Sequence, residues 1–468
     1  MDKNNKLAET GGDSRRSFIK KTATASAVLA TGSLFKTPVY GQNTAPSTGK
    51  VIGANDRIVV GYIGVGGTGL NGLAHGQGLA HVKSQKEHAS ENNIAQVAVC
   101  DVFSKRADYA KGVIGGECEV QTDYRKLLDR KDIDAVVIAT VDHWHTRCSV
   151  DAMNTGKHVY VEKPMTRYLD EAFQIYDAVK KTGKVLQVGS QGCSDMKWHK
   201  AAEIVQSGKI GKIVLSQGSY MRNNKDGEWN YKIDPEAKPD NVLWKQWVGS
   251  QIKSAPKSFD PDHYFRWRKY YPYCAGLLGD LFPHKLHPYM LATGNPEFPV
   301  RVSAVGSKSI HSDKNTPNTY ERDVPEIIQL IAEFPSGMLM HITSSTVNEQ
   351  GTQEMIRGHK ASLVMAGNRI DLKPERPFTE EIDPVTYEGI KPGESIAEHE
   401  KNWFECIRTG KSPNCNIDLA VKVQSVISLA EMSERLNVMC LFDPKTRKVT
   451  TGDGRPVKAL TYGSLPLS

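Results

Sequence analysis

The chain has 468 residues, of which 39% are hydrophobic, and a formal net charge of +7. Its first 50 residues hold eight Lys and Arg against three Asp and Glu, so the remaining residues carry a net charge of only about +2. No long basic block follows that segment, and this excludes the electrostatic footprint of a nucleic-acid-binding protein.

The stretch "DSRRSFIKKTATASAVLATGSLF" has the layout of an export signal, a positive region followed by a short apolar run. Arg15 and Arg16 with their neighbours resemble the twin-arginine signal, by which bacteria export folded proteins. A disordered basic tail is the alternative, but the apolar run Ala23–Leu34 directly behind the arginines favours a signal. We therefore predict a signal and linker over residues 1–55, the twin-arginine machinery as a partner, and a periplasmic location. The apolar run is too short to span a bilayer, so no membrane span is predicted for the mature protein.

A nucleotide-binding turn is predicted next, in "RIVVGYIGVGGTGLNGLAHG". Arg57–Ile63 is an apolar, β-branched run typical of a buried parallel strand. It leads into a GxGxxG pattern that opens a helix. Glycines there allow a tight turn, close approach of a pyrophosphate and packing of the helix on the strand. The predicted cofactor-binding residues of this turn are Gly64, Gly66, Gly67, Thr68 and Gly69.

An acidic residue follows the second predicted strand, Ala95–Cys100, and supports a dinucleotide site. Asp101 is placed to accept hydrogen bonds from a ribose hydroxyl. It lies further from the glycines than the usual ~20 residues, and we attribute the excess to "HVKSQKEHASENN", a predicted surface extension of the first helix. The cofactor is predicted to be NAD. NADP stays open because the segment Ser104–Arg106, with Arg106 as a predicted cofactor contact, is suited to a 2′-phosphate.

Strands and helices then alternate up to residue 191, with further strands at Ala135–Thr140 and His158–Val161. This alternation predicts a doubly wound parallel sheet over residues 56–191. A loop containing "DHWH" follows the third strand, at the edge of the sheet where ligands bind. His143 and His145 are therefore predicted to contact the cofactor, with hydrogen bonding inside the loop as the alternative.

A second domain is predicted over residues 192–468. The helix "MKWHKAAEIVQSGKIGKI" leads into the strand "VLSQGSYMRN", and later segments alternate with Gly, Asn and Pro turns as antiparallel strands do. Asn416 is placed to cap a long apolar helix. Between residues 220 and 270 aromatic residues are dense, and they either pack a core or offer a stacking face to a sugar. They include Tyr220, Trp229, Tyr231, Trp244, Trp247, Tyr264, Phe265, Trp267 and Tyr270.

The eight cysteines show neither CxxC spacing nor a dense cluster, so we predict buried free thiols rather than a disulfide framework or a zinc site.

Several motifs taken together resemble the Gfo/Idh/MocA family of glucose–fructose oxidoreductase-like and inositol dehydrogenase-like enzymes. They are the glycine turn at 64–69, "DHWH" at 142–145, "EKPMT" at 162–166, "WKQWVG" at 244–249 and "FRWRKYYPYCAGLLGDLFPHKLHP" at 265–288. The resemblance implies an N-terminal Rossmann domain and a C-terminal α+β domain with a large, mostly antiparallel open sheet. Such a sheet often forms the oligomer interface, so a homodimer or homotetramer is expected.

The resemblance also implies roles for individual residues. Glu162 and Lys163 belong to the Glu-Lys-Pro motif, and Lys163 is expected beside the nicotinamide and the substrate hydroxyl. Asp280 and His284 are expected on one helix, with His284 as the proton acceptor. Residues four apart share a helix face, so both side chains can reach one substrate. An imidazole takes a hydroxyl proton near neutral pH, and a lysine stabilises the developing alkoxide.

Two departures from the family pattern concern the same segment. His287 stands where family members commonly carry aspartate, and Pro283 lies inside the expected helix. Together with His143 and His145, the histidines of this segment resemble a metal site. We predict no metal, because an H-x-x-H pair is more often packed or substrate-facing than a ligand set. The predicted substrate contacts are Lys163, Tyr220, Trp267, Arg268, His284 and His287.

These expectations combine into a function. An exported Rossmann enzyme has to load its cofactor before export, so tightly bound NAD(P) is expected. The resemblance implies oxidation of a sugar or glycoside hydroxyl by hydride transfer. A redox-neutral, NAD-dependent glycoside hydrolase is the alternative, and Lys163 favours the dehydrogenase because the hydrolases of the family replace that lysine. A non-catalytic sugar-binding protein is the third possibility, and the intact Lys163, Asp280 and His284 set argues against it.

Overall fold

The computed structural model describes residues 56–66, 76–311, 322–391 and 393–462. The predicted signal and linker up to residue 55 lie outside these residues, as do Gly67, Thr68 and Gly69 of the glycine turn. None of the helices in the described ranges is long and apolar enough to cross a membrane.

The first sheet has six parallel strands in the order β3-β2-β1-β4-β5-β6. Chain order is reversed about β1, so the sheet is doubly wound as predicted. Its strands are β1 (Ile58–Ile63), β2 (Ile94–Cys100), β3 (Glu119–Gln121), β4 (Ala135–Ile138), β5 (His158–Glu162) and β6 (Leu186–Gly189). The helices between them are α1 (Gln77–Glu87), α2 (Ser104–Ile114), α3 (Tyr124–Asp129), α4 (Asp142–Asn154) and α5 (Leu169–Thr182).

The segment containing "DHWH" is the first turn of α4 and not the predicted loop. Strand β4 ends at Ile138, and Ala139, Thr140 and Val141 form the connection before Asp142 begins the helix. A negative side chain is favourable in the first turn of a helix, which accounts for Asp142 there.

The second sheet has 11 strands, ten of them in the order β15-β14-β13-β12-β7-β10-β9-β8-β16-β17, while β11 pairs with β7. Every pairing is antiparallel except that of β7 with β10. Both sheets confirm the predicted fold class. The strands are β7 (Ile213–Asn223), β8 (Arg301–Ser307), β9 (Ile327–Glu333), β10 (Leu339–Ser345), β11 (Val347–Asn348), β12 (Met355–Gly358), β13 (Ala361–Ala366), β14 (Arg369–Pro374), β15 (Val385–Tyr387), β16 (Cys440–Asp443) and β17 (Lys448–Thr450).

The helices of the second half cover one face of that sheet and join it to the first sheet. The longest, α12, packs against β8, β16 and α5, and Asn416 caps it as predicted by accepting from the backbone N–H groups of Asp418 and Leu419. These helices are α6 (Met196–Gln206), α7 (Trp244–Val248), α8 (Pro261–Phe265), α9 (Leu277–Asp280), α10 (Pro283–Ala292), α11 (Ile396–Thr409) and α12 (Ile417–Leu436). Single 3₁₀ turns lie at Gln191–Ser194, Trp267–Lys269 and Arg376–Phe378.

The other face of the second sheet leaves apolar side chains exposed. In β8 and β9 the alternate residues Ala304 and Leu330 are buried against the helices. Their neighbours on the opposite face, Val305 and Ile331, are 77% and 51% exposed. An apolar stripe on a sheet face is typical of an interaction surface.

All eight cysteines are buried and none forms a disulfide, which confirms the prediction for the thiols. They are Cys100, Cys118, Cys148, Cys193, Cys274, Cys406, Cys415 and Cys440.

Candidate active site

A cavity of about 490 Å³ lies at the carboxyl ends of the strands of the first sheet. One wall consists of residues that follow β1, β2, β4 and β5, and the other consists of residues from the second half of the chain. The cavity brings together nearly all of the predicted site residues in the described ranges. They are Gly64, Gly66, Asp101, Arg106, Glu162, Lys163, Tyr220, Trp267, Arg268, Asp280 and His284.

The two described glycines of the turn, Gly64 and Gly66, are closely packed against neighbouring protein atoms. Gly64 has a φ of +81°, and a Cβ there would lie 2.8 Å from backbone atoms of Ala139 and Thr140. A Cβ at Gly66 would lie 2.5 Å from the side chain of Arg106. Only glycine fits at Gly64, whereas a side chain at Gly66 would have to displace the flexible end of Arg106.

Both oxygens of the Asp101 carboxylate accept hydrogen bonds from backbone N–H groups. Its Oδ2 accepts from the N–H of Val65 at 3.0 Å, and its Oδ1 accepts from the N–H of Phe103 at 2.9 Å. These bonds fix the carboxylate between the glycine turn and the start of α2, where a ribose hydroxyl can donate to its remaining lone pairs.

The basic segment after Asp101 is largely engaged. Lys105 forms ion pairs with Asp234, at 3.0 Å, and with Glu236. The guanidinium of Arg106 lies over the rings of Tyr264 and Phe265 and lines the cavity. Of the two basic residues in the segment Ser104–Arg106, Arg106 is therefore the one that lines the cavity.

The cavity wall contains an ion pair between two of the predicted catalytic residues, Lys163 and Asp280. Nζ of Lys163 donates to the carbonyl oxygen of Asp280 at 2.7 Å and to its Oδ1 at 2.8 Å. Nε of Arg268 donates to the same Oδ1 at 3.1 Å, and the indole N–H of Trp229 donates to Oδ2 at 3.0 Å. Burial alone would raise the pKa of Asp280, but Lys163, Arg268 and these hydrogen bonds hold that pKa well below its usual range.

Asp280 and His284 do not share one helix, contrary to the prediction. Asp280 ends α9 and His284 lies in the first turn of α10, because Pro283 has no N–H and begins a new helix. Both residues line the cavity nonetheless. The imidazole of His284 lies 5.2 Å from the ring of Tyr220, and its Nδ1 is 3.2 Å from Oε2 of Glu394.

Three of the predicted histidine contacts do not line the cavity, and their side chains are buried in the protein. His287 donates from Nδ1 to the carbonyl of Pro283 at 3.1 Å. Nε2 of His143 lies 2.9 Å from the carbonyl of Trp247. The ring nitrogens of His145 lie 2.7 and 3.1 Å from the carbonyls of Pro164 and Thr140. For His143 and His145 the structure thus favours the hydrogen-bonding alternative.

No group of three or more His, Cys, Asp or Glu side chains in the described ranges is arranged to hold a metal ion.

A buried network behind Glu162 was missing from the sequence prediction. Nε2 of His81 lies 2.9 Å from Oε1 of Glu162, and its Nδ1 lies 2.7 Å from Oε1 of Glu400 on α11. Burial opposes a charge on this imidazole, but the two carboxylates raise the pKa of His81 to about 9. The segment predicted to lie on the surface therefore contributes a buried cation. This network depends on Glu400, which lies 238 residues after Glu162 in the chain. No motif in the sequence links these two residues to His81.

Two buried polar atoms at the cavity have no hydrogen-bond partner among the described residues: Oδ2 of Asp142 and Nη1 of Arg268. Buried polar groups are normally paired, so unpaired atoms at a cavity indicate groups available to a ligand. Asp142 was not predicted as a site residue.

Residues 58–190 match the family model described as "Oxidoreductase family, NAD-binding Rossmann fold", named GFO_IDH_MocA. This part of the chain is therefore similar to the NAD-binding domain of that oxidoreductase family. The match confirms that the predicted cofactor is NAD. It also supports the predicted resemblance to this family over the residues of the first sheet.

The chain spans about half the length of the curated relatives it matches. A "Glycosyl hydrolase family 109 protein" of Shewanella baltica is 28% identical over 242 residues, covering 46% of this chain and 49% of the relative. An "Inositol 2-dehydrogenase" of Salmonella agona is 27% identical over 183 residues, covering 39% and 50%.

Solved structures share the fold over most of the chain. A levoglucosan dehydrogenase in complex with NADH aligns with a TM-score of 0.62 at 20% identity, covering 82% of this chain and 98% of that one. An oxidoreductase domain protein from Kribbella flavida aligns with a TM-score of 0.61 and the same coverage. At this identity the similarity extends to the fold alone.

Proposed function

We propose that this protein is an NAD-dependent oxidoreductase that oxidises a hydroxyl group of a sugar or glycoside. The observation that carries the proposal is the convergence of Lys163, Asp280 and His284 in one cavity with the nucleotide-binding turn. Lys163 follows β5, whereas Asp280 and His284 lie on α9 and α10, so the cavity joins residues from both halves of the chain.

The residues at the cavity fit a dinucleotide. Gly64 and Gly66 allow its pyrophosphate to approach the backbone, Asp101 accepts from a ribose hydroxyl, and the unpaired Oδ2 of Asp142 offers a further acceptor. NAD is favoured over NADP, because the carboxylate of Asp101 would repel a 2′-phosphate and Lys105 is already paired with acids. The chemistry that the nicotinamide supplies when bound is acceptance of a hydride from the carbinol carbon.

The protein's own residues position the hydroxyl and move its proton. In the proposed mechanism His284 takes the hydroxyl proton, and the ammonium of Lys163 stabilises the negative charge that develops on the oxygen. Asp280 holds Lys163 and Arg268 in place through its Oδ1. Trp267, with the guanidinium of Arg268 stacked 4.2 Å from its ring centroid, supplies an apolar face for a sugar ring.

The second candidate is a redox-neutral glycoside hydrolase that oxidises a sugar carbon, eliminates the aglycone, adds water and reduces the product again. The similarity to the Shewanella glycosyl hydrolase over half its length favours this candidate. Lys163 in the Glu-Lys-Pro motif favours the dehydrogenase.

The test uses protein purified as exported, with its native cofactor content and no added NAD, incubated with free sugars and aryl glycosides. A product lighter by two hydrogens in mass spectrometry, with rising absorbance of reduced nicotinamide, supports the dehydrogenase. Release of unoxidised sugar and free aglycone, without a lasting absorbance change, supports the hydrolase and contradicts our proposal.

We also propose export through the twin-arginine route with the cofactor tightly retained, and assembly into a homodimer or homotetramer. The sequence around Arg15 and Arg16 supports the export route. The exposed apolar stripe with Val305 and Ile331 supports the assembly.

A further inference from the structure

The loop between β15 and α11 places a carboxylate against the imidazole of the proposed base. Oε2 of Glu394 is 3.2 Å from Nδ1 of His284, although the two residues are 110 positions apart in the chain. The carboxyl side chain is 41% exposed and that of His284 is 15% exposed. The family match ends at residue 190, and Glu394 belongs to none of the sequence motifs that resemble the family.

The surroundings of Glu394 hold this carboxylate in place. A Cβ at Gly192 would lie 3.2 Å from Oε1 of Glu394, so the carboxylate packs over a residue without a side chain. On one side, the N–H of Gly393 donates to Oδ2 of Asp195 at 3.4 Å. On the other, Ser395 caps α11 by accepting from the N–H of Glu398 at 3.2 Å. The loop is thus tied to the protein on both sides of Glu394.

The charges near the pair favour an ionised carboxylate. Partial burial opposes the charge, but the hydrogen bond to His284 and the charges of His284, Lys285 and Lys163 lower the pKa of Glu394 below its ordinary value. Lys285 forms its own ion pair with Glu354, and Lys163 forms one with Asp280, so both cations have other partners.

A carboxylate has only acceptor atoms, so the hydrogen of the bond belongs to Nδ1 of His284. The other ring nitrogen, Nε2, then carries the lone pair. In nucleophile–base–acid triads a carboxylate likewise fixes the tautomer of the imidazole, and this makes the imidazole an effective base.

We infer that Glu394 is the positioning residue of the proposed base: it fixes His284 in the tautomer whose Nε2 accepts the substrate hydroxyl proton, and it stabilises the imidazolium that forms. The inference rests on the proposed function. The O–H bond of the substrate breaks and its proton passes to Nε2 of His284. A nicotinamide held at the dinucleotide site would supply the acceptor for the hydride of the same carbinol.

Two substitutions separate the two effects of Glu394. In Glu394→Gln the amide oxygen still accepts from Nδ1 while the negative charge is lost. We therefore expect a fall in kcat of less than about tenfold and an acidic limb of the kcat–pH profile moved to lower pH by about 0.5–1 unit. In Glu394→Ala the acceptor is lost as well, and kcat is expected to fall by about 10- to 100-fold, part of the ~10²–10⁴ that a general base supplies. In both variants KM should stay within about threefold, since Glu394 is not placed on the substrate.

The matched control is Glu398→Gln, which neutralises a carboxylate on the adjacent turn, where Glu398 pairs with Lys391 at 2.8 Å. Its rates and pH profile should equal those of the wild type. A second readout, ¹⁵N NMR of histidine-labelled protein, should find the Nδ1–H tautomer of His284 in the wild type and its loss in Glu394→Ala.

Three results overturn the inference. They are an unchanged kcat and pH profile in Glu394→Ala, an increase in KM alone, and an unchanged tautomer of His284. The variant His284→Ala distinguishes this failure from failure of the proposed function. If His284→Ala is inactive while Glu394→Ala behaves as the wild type, only the role of Glu394 is wrong. If His284→Ala turns over normally, the proposed base itself is wrong.

Discussion

Lys163 is the residue on which the proposed chemistry depends most directly. Its Nζ lies 2.8 Å from Oδ1 of Asp280 at the cavity wall. We expect Lys163→Met to lower the rate of a single turnover by about 10²- to 10³-fold, because the developing alkoxide loses its cation. The measurement is the rise of reduced-nicotinamide absorbance after mixing loaded enzyme with substrate.

The control for this prediction is Lys360→Met, which removes a lysine of the exposed ion pair with Glu381 and should leave the rate unchanged. A rate for Lys163→Met within about threefold of the wild type contradicts the role of Lys163.

His81 makes stability depend on pH. Its pKa in the folded protein is about 9, against an ordinary value of 6.5, so the folded state binds this proton more tightly than the unfolded chain. The stabilisation is complete below pH 6.5 and is lost as pH rises through about 9. At 1.36 kcal/mol per pKa unit it amounts to about 3 kcal/mol at most.

We therefore expect the free energy of unfolding of the wild type to decrease between these pH values and that of His81→Gln to decrease much less. Urea unfolding at several pH values measures the difference. The variant His88→Gln, at the end of the same helix, should retain the wild-type slope. Parallel slopes for wild type and His81→Gln are the contradicting result.

The sequence predicted the residues of the site that belong to local motifs, and it missed those that arrive from distant segments. Gly64, Asp101 and Lys163 follow strands directly, so a strand-by-strand prediction places them at one sheet edge. Trp229 and Glu394 contact Asp280 and His284 only because the second half of the chain folds over that edge. Contacts of this kind depend on tertiary packing, which no spacing encodes.

At the scale of elements, a buried ion pair joins the start of α5 to α12. The guanidinium of Arg167 donates to both oxygens of Glu431, at 2.6 and 2.7 Å, and both side chains are buried. Arg167→Met leaves the carboxylate buried with Arg435 as its remaining cation. We expect a loss of about 3 kcal/mol in the free energy of unfolding, at the lower end for a broken buried pair.

A second ion pair between the same two helices serves as the control. Lys180 on α5 and Asp418 on α12 form an ion pair at 2.9 Å with side chains that are 48% and 54% exposed. Lys180→Met should cost no more than about 1 kcal/mol, because exposed pairs are weak. Chemical denaturation of both variants measures the difference, and equal losses contradict the argument from burial.

The boundaries of helices and strands agree with the prediction where the apolar pattern is continuous. They differ from it where a single residue, such as a proline, determines where an element begins or ends. The strands β1, β2 and β5 lie within one residue of the predicted bounds. The predicted Asp280–His284 helix divides at Pro283, and the predicted "DHWH" loop is a helix. The spacing of apolar residues indicates that a helix or strand exists and which of the two it is. Where that element begins and ends depends on its capping residues and on the segments that pack against its ends.

At the scale of the whole molecule, the exposed face of the second sheet predicts the state of assembly. Val305 and Ile331 lie on neighbouring strands and present an apolar surface that a monomer would leave in contact with water. If this face pairs in a homodimer or homotetramer, Val305→Lys with Ile331→Lys should give monomers, because two lysines cannot be buried there without partners. Sedimentation velocity measures the mass. The control Val385→Lys, at β15 near the far end of the same sheet, should keep the wild-type mass.

The double variant should also unfold at the same temperature when each protein is studied as a monomer at high dilution, since both side chains are already exposed in one chain. A wild-type protein that sediments as a monomer contradicts the proposed assembly outright. An oligomer that survives both lysines contradicts only the face, and it moves the interface to another surface of the chain. The expected result, loss of assembly without loss of fold, requires that the apolar stripe stabilises contacts between chains and contributes nothing to the core of one.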